Sequence, residues 1–138
     1  MTVTRFDPGA ALIFLLGVVW GPRDRQQDLR LVFGPGSAET IIAPDVLDDI
    51  GYTARQGEAI TVTRSVVGKE SGYLIRVARF RALGFEFTDF RVNALDLPER
   101  YGINGLLGLG FLRHFNYEVR SGEGRIRAER IDVDESTP

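Results

Sequence analysis

Between Leu29 and Gly51 the chain reads LRLVFGPGSAETIIAPDVLDDIG, and this stretch fixes a local order of elements. An apolar run (Leu29, Leu31, Val32, Phe33) meets Gly34, Pro35, Gly36 and Ser37, residue types that favour tight turns. A second short run (Thr40, Ile41, Ile42) follows, and then Pro44 and Gly51 bracket a short segment. Proline suits the first helical position because its missing N–H would have no helical partner there, and glycine suits the position just past a helix end. The expectation is strand, hairpin-like loop, strand and short helix.

Composition narrows the function classes. At 138 residues the chain has the length of one domain, and 43% hydrophobic with 26% charged residues is ordinary for a globular protein. Sixteen arginines and one lysine are scattered along a chain of net charge -2, which gives no basic field for nucleic acid. No cysteine is present, which removes disulfides, thiol catalysis and cysteine-based zinc sites. The apolar run from Ala10 to Trp20 is about half the length of a membrane-spanning helix. Trp20-Gly21-Pro22-Arg23 after it is not a small-residue cleavage site, so the run reads as a buried strand, with no membrane partner and a cytoplasmic location favoured.

Taken in order, residues 1–10 read as a polar lead containing an Asp7-Pro8-Gly9 turn, residues 11–131 as the folded domain and residues 132–138 as a frayed acidic tail. Leu12 to Trp20 reads as a strand returned by GPRDRQQD to the strand at Leu29. Ala59 to Val67 reads as a Val/Thr/Ile-rich strand, Gly68 to Gly72 as a polar turn, Tyr73 to Leu83 as a strand and Phe85 to Leu97 as a strand pair. Near the end, INGLLGLGFLRHF (Ile103 to Phe115) holds closely spaced glycines, which permit close backbone approach. Asn116 to Arg120 and Arg125 to Ile131 read as a closing hairpin. The fold class is therefore mainly β with one or two short helices.

The order of elements around Gly34 resembles the catalytic-loop segment of the retropepsin-like aspartic peptidases. In that family an apolar run leads into Asp-Thr-Gly-Ala-Ser-x-Thr, two apolar residues and a helix ending in Gly. Laid on this sequence without a gap, Gly34 falls on the catalytic Asp, Pro35 on the Thr, Gly36 on the Gly, Ser37 on the Ala and Thr40 on the later Thr. Gly105, Leu106, Leu107 and Gly108, with Phe111 and Leu112, stand at the matching positions of the family's second motif. The resemblance implies a single-lobe closed β fold that works as a homodimer and binds an extended peptide. It also places a flap over the cleft at Val67, Gly68, Lys69, Glu70, Ser71 and Gly72.

The scaffold of the motif is present and its chemistry is missing. Hydrolysis of this type needs two carboxylates sharing one proton, one to draw a proton from water and one to protonate the substrate carbonyl. In a symmetric dimer the family takes one Asp from each subunit, so a glycine at 34 deletes both. Pro35 has neither the hydroxyl nor the N–H of the family Thr. Ser37 has no neighbouring His or Lys in sequence to activate it, and the only histidine, His114, lies at the end of the second motif's helix. Asp45, Asp48 and Asp49 read as helix residues, with charge near the N-terminus favourable for structural reasons alone. Asp7, in the decoy Asp7-Pro8-Gly9-Ala10, is the fallback carboxylate. A dinucleotide fingerprint fails at Glu39, where the third glycine belongs.

The expectation is an inactive aspartic-protease homologue acting as a homodimeric peptide- or protein-binding module, with no cofactor and no metal. Two rivals are an active aspartic endopeptidase using Asp7 or a partner-supplied Asp, and a β-rich domain of unrelated function in which both motifs are coincidences.

Overall fold

A computed structural model of the chain describes residues 1–65, 68–98 and 102–131, with side chains described outside 63–70. The strands are β1 (Thr2–Arg5), β2 (Phe14–Trp20), β3 (Gln26–Phe33), β4 (Ile41–Ile42), β5 (Ala59–Ser65), β6 (Gly68–Ala82), β7 (Phe85–Ala94), β8 (Gly105–Leu107), β9 (Phe115–Arg120) and β10 (Arg125–Arg130). Among the described residues two short helices, α1 (Pro44–Asp49) and α2 (Leu109–Leu112), and a 3₁₀ turn at Ala54–Gln56 accompany the strands.

One sheet runs β2-β3-β8-β4-β7-β6-β5, and pairing of β2 with β6 closes it into a barrel with β5 attached outside. The second sheet, β1-β10-β9, brings the two ends of the described chain together. The barrel closes because its strands alternate apolar and polar residues. Leu15 and Val19 of β2 point inward while Leu16 is exposed, and Ile75 and Val77 of β6 point inward while Arg76 is exposed. Phe80 and Phe111 are fully buried, each contributing ~1.5–3 kcal/mol by burial. The ring of Phe111 lies 5.0 Å from that of Phe115 and 5.6 Å from that of Phe80, which seats α2 against the barrel.

Helix α1 begins at Pro44, and Gly51 beyond its end adopts φ 108°, both as the sequence requires. Its inward residues, Val46 and Leu47, are buried.

Three expectations change. Residues 2–5, within the polar lead, form β1, whose inward Thr2 and Thr4 alternate with exposed Val3 and Arg5 as it pairs with β10. Gly68–Gly72 is not a turn: these residues begin β6 and pair with 61–65 of β5. Glycine is needed at 72 because a Cβ would overlap the Ala94 carbonyl and come within 3.0 Å of Asn93 Oδ1 and Thr61 Oγ1. Phe85 to Leu97 holds one strand, β7, followed by irregular chain. Its alternation flips phase at Asp89, which has φ 51°, so Phe85 and Phe87 face inward before it and Phe90 and Val92 after it. Val67 and the acidic tail lie outside the described residues.

Candidate functional site

Strand β3 ends at Phe33 and delivers Gly34 to a loop that returns through Thr40 into β4. Between them runs β8, parallel to β3 (Leu31 with Gly105, Phe33 with Leu107) and antiparallel to β4 (Ile41 with Leu106). The two sequence motifs are therefore threaded through each other.

Four hydrogen bonds fix the loop. The Gly34 N–H donates to the Leu107 carbonyl at 2.9 Å, and the Ser37 N–H closes a turn on the Gly34 carbonyl at 3.0 Å. The Leu109 N–H donates to the Ser37 carbonyl at 2.8 Å, and the Gly108 N–H donates to the buried Thr40 Oγ1 at 3.2 Å. Thr40 is 1% exposed, so its hydroxyl serves as an internal tie. Ser37 Oγ donates to the Glu39 carbonyl at 2.9 Å, which spends the hydroxyl on the loop itself.

Gly34 is half-buried, while Pro35 and Gly36 are exposed. A Cβ on Gly34 would sit 2.9 Å from Leu106 Cδ2 and 3.1 Å from its Cγ, so the second motif's leucine occupies the space beside the bare backbone.

A cleft of about 420 Å³ opens between this loop and β5, lined by Ser37, Ala38, Glu39, Ile41, Thr61, Val62 and Asn93. Asn93 is 2% exposed and accepts a hydrogen bond from Thr61 Oγ1 at 2.9 Å, while its backbone N–H donates to the Thr40 carbonyl. One buried residue of β7 is thus tied to β5 by its side chain and to the loop by its backbone. Sequence reasoning missed Asn93, although an Asn between Val92 and Ala94-Leu95 is a polar residue in an otherwise apolar strand end. Ile60 of β5 is 86% exposed beside the cleft residue Val62.

The other candidates fall elsewhere. Asp7 is exposed, and its Oδ1 accepts the Gly9 N–H at 2.8 Å in a turn beside the β9–β10 connection, where the Phe6 N–H donates to the Gly124 carbonyl. His114 is half-buried past the end of α2, its ring 5.0 Å from that of Phe87. With Glu39 and Thr40 it lines an adjoining groove of about 570 Å³ that shares Ala38, Glu39 and Asn93 with the cleft and also holds Arg91 and Arg113. Asp48 of α1 lies near enough to Tyr73 to help raise its phenol pKa, an effect secondary to burial. Gly68, Lys69, Glu70, Ser71 and Gly72 all lie in β6, with Ser71 exposed and Gly72 half-buried. Among the described residues no three His, Cys, Asp or Glu side chains come together as a metal site.

The family model for aspartyl proteases matches residues 23–111, which span the loop at Gly34 and the second motif as far as Phe111. The chain belongs to the aspartyl protease family. The reading of both motifs as coincidence ends with that match. Among solved structures, this aspartyl protease homologue resembles a retropepsin-like aspartic protease from Rickettsia conorii, with TM-score 0.65 at 12% identity over 90% of this chain and 94% of that one. It also resembles the EIAV protease complexed with the inhibitor HBY-793, with TM-score 0.56 at 15% identity over 76% of this chain and 88% of that one. At such identities the likeness concerns the fold, and the fold is that of the retropepsin-like proteases. A comparison with curated proteins gives no match.

Proposed function

We propose that this aspartyl protease homologue is a homodimer without peptidase activity that holds an extended peptide in the cleft beneath the β5–β6 hairpin, which acts as a flap. The observation that carries the reading is the state of the loop. Its backbone is tied to β8 and α2 by the hydrogen bonds at Gly34, Ser37 and Thr40, yet position 34 supplies no acid and no base. A dyad sharing one proton is the whole chemical apparatus of this reaction class, so its loss removes water activation and carbonyl protonation together.

Retention of the scaffold supports continued binding. Extended peptides are gripped largely by backbone hydrogen bonds to a strand edge, with side-chain pockets adding selectivity, and none of this needs a catalytic carboxylate. Exposed Val62 of β5 and the half-buried Glu39 line the cleft, with exposed Ile60 two residues before Val62 on the same strand. Absence of two facing carboxylates also removes a repulsion from the centre of a two-fold dimer.

Light scattering and a peptide-retention assay test the proposal together. The expected result is a particle of twice the 15.4 kDa chain mass that retains a subset of a random peptide library intact. A monomer that retains no peptide would refute it.

A further inference from the structure

The outward face of the β1-β10-β9 sheet carries a row of arginines that the barrel does not need. Arg5 stands directly opposite Arg125, and Arg125 directly opposite Arg120, all three exposed on one face. In the next outward row Arg127 lies between Val3 and Glu118. Directly opposed residues on one sheet face have Cβ atoms about 4.5–5.5 Å apart, and like charges there destabilise the pair.

The Glu123 carboxyl is held below the usual range first by its hydrogen bond to Arg120 and further by the charges of Arg125 and Arg127, so within this row the direct ion pairs among the described residues go to Arg120. Arg120 donates to Glu118 at 2.9 Å and to Glu123 at 2.7 Å. Among the described residues neither Arg5 nor Arg125 makes an ion pair or a side-chain hydrogen bond. Arg127 donates to the Met1 sulfur, a weak acceptor, at 3.4 Å. Arg5, Arg120, Arg125 and Arg127 share this end of the sheet with Glu118 and Glu123, and Asp7 lies in the adjoining turn, so the positive charge is concentrated in the Arg5–Arg125–Arg120 row. Glu129 sits at the other end, opposite Asn116. The face is also not flat: a hollow of about 490 Å³ is lined by Val3, Arg120, Glu123, Arg125 and Arg127, and Val3 is 55% exposed in it.

We propose that this face docks an acidic segment of a protein partner, whose carboxylates pair with Arg5 and Arg125 while an apolar side chain covers Val3. The guanidiniums are spread along a line across three strands instead of converging on one point, which suits separate carboxylates better than a single phosphate. Interleaved Glu118 and Glu123, the net negative chain and the lack of an exposed aromatic on this face disfavour a nucleic-acid strand, which needs an unbroken basic track and stacking surfaces. The proposal is independent of the cleft and of any loss of catalysis.

Fluorescence anisotropy with a fluorescein-labelled ten-residue peptide of alternating Glu and Leu tests it on the full chain. Wild type is expected to bind with an affinity that falls as salt rises. Arg5→Ser/Arg125→Ser should bind about tenfold more weakly, as expected for two lost exposed charge contacts, while Arg23→Ser/Arg55→Ser binds as wild type. The melting temperature of Arg5→Ser/Arg125→Ser should equal or exceed that of wild type, since a like-charge contact is removed. No binding by wild type, equal loss in both double variants, or a lower melting temperature for Arg5→Ser/Arg125→Ser would overturn the proposal. So would tighter binding of labelled decauridylate than of the peptide, which would reassign the face to nucleic acid.

Discussion

Replacing Gly108 with alanine tests how tightly the two motifs are locked. Gly108 has φ -106°, a conformation any residue adopts, so the cost is steric. An added Cβ would overlap the Glu39 carbonyl oxygen and lie 2.7 Å from the Glu39 carbonyl carbon and 2.9 Å from the Ser37 oxygen. All three are backbone atoms, which cannot rotate away. The loop must lift from α2, and the bonds at risk are Leu109 N–H to Ser37, Gly108 N–H to Thr40 and Gly34 N–H to Leu107. At about 1 kcal/mol net each, with ~1–3 kcal/mol for overpacking, the expected loss is roughly 4–6 kcal/mol. That is a large share of the ~5–15 kcal/mol that holds a domain folded. Gly110, two residues on, is the control: its Cβ would meet nothing nearer than the Thr40 nitrogen at 3.6 Å, an ordinary contact. Gly110→Ala should stabilise α2 by ~0.5–1 kcal/mol through reduced backbone entropy in the unfolded chain. Urea denaturation followed by circular dichroism reads both. A Gly108→Ala variant within about 1 kcal/mol of wild type, or equal losses at both glycines, would refute the reasoning.

Two tyrosines should respond oppositely to loss of their hydroxyls. Tyr52 Oη donates to the Trp20 carbonyl at 2.9 Å and accepts the Ala78 N–H at 2.7 Å, so Tyr52→Phe should cost ~1–3 kcal/mol in urea denaturation. The Tyr73 hydroxyl is buried without a partner among the described residues, so Tyr73→Phe should be neutral or stabilising by up to ~1 kcal/mol. Burial raises both phenols above the ordinary value near 10, with the Ala78 N–H opposing the rise at Tyr52 and the Asp48 charge adding to it at Tyr73. Their neutral forms therefore favour the fold fully below about pH 10, and that contribution fades as pH climbs through the raised values. The Tyr52→Phe/Tyr73→Phe double variant should show a shallower alkaline fall in melting temperature than wild type. Gly34→Asp should lose ~1–3 kcal/mol because its side chain enters the space of Leu106, and Leu106→Ala in that background should recover part of the loss in the same denaturation assay.

The local order around Gly34 was legible because its signals are short-range: an apolar run, turn residues, Pro44 and Gly51 each act within a few positions. Closure of the barrel was not, since the pairing of β2 with β6 joins residues far apart in sequence. The segment Gly68 to Gly72 shows where local signals mislead. Gly-Lys-Glu-Ser-Gly looks like a turn, but the ladder with β5 satisfies its backbone, and Gly72 is small because Ala94 and Asn93 crowd it. Likewise β1 was hidden because a four-residue strand gains its stability from β10 at the other end of the chain. At the site, Gly108 was readable as a close-approach glycine, whereas the tie from Thr40 to Gly108 and the filling of Gly34's side by Leu106 depend on tertiary register.

Incubating wild type and Asp7→Asn with a diverse peptide library from about pH 3 to about pH 8, and reading products by mass spectrometry, tests the central claim most directly. With glycine at 34, neither protein is expected to cut any peptide at any pH. Cleavage by wild type that is abolished in Asp7→Asn would contradict the account and place the active carboxylate on the turn after β1.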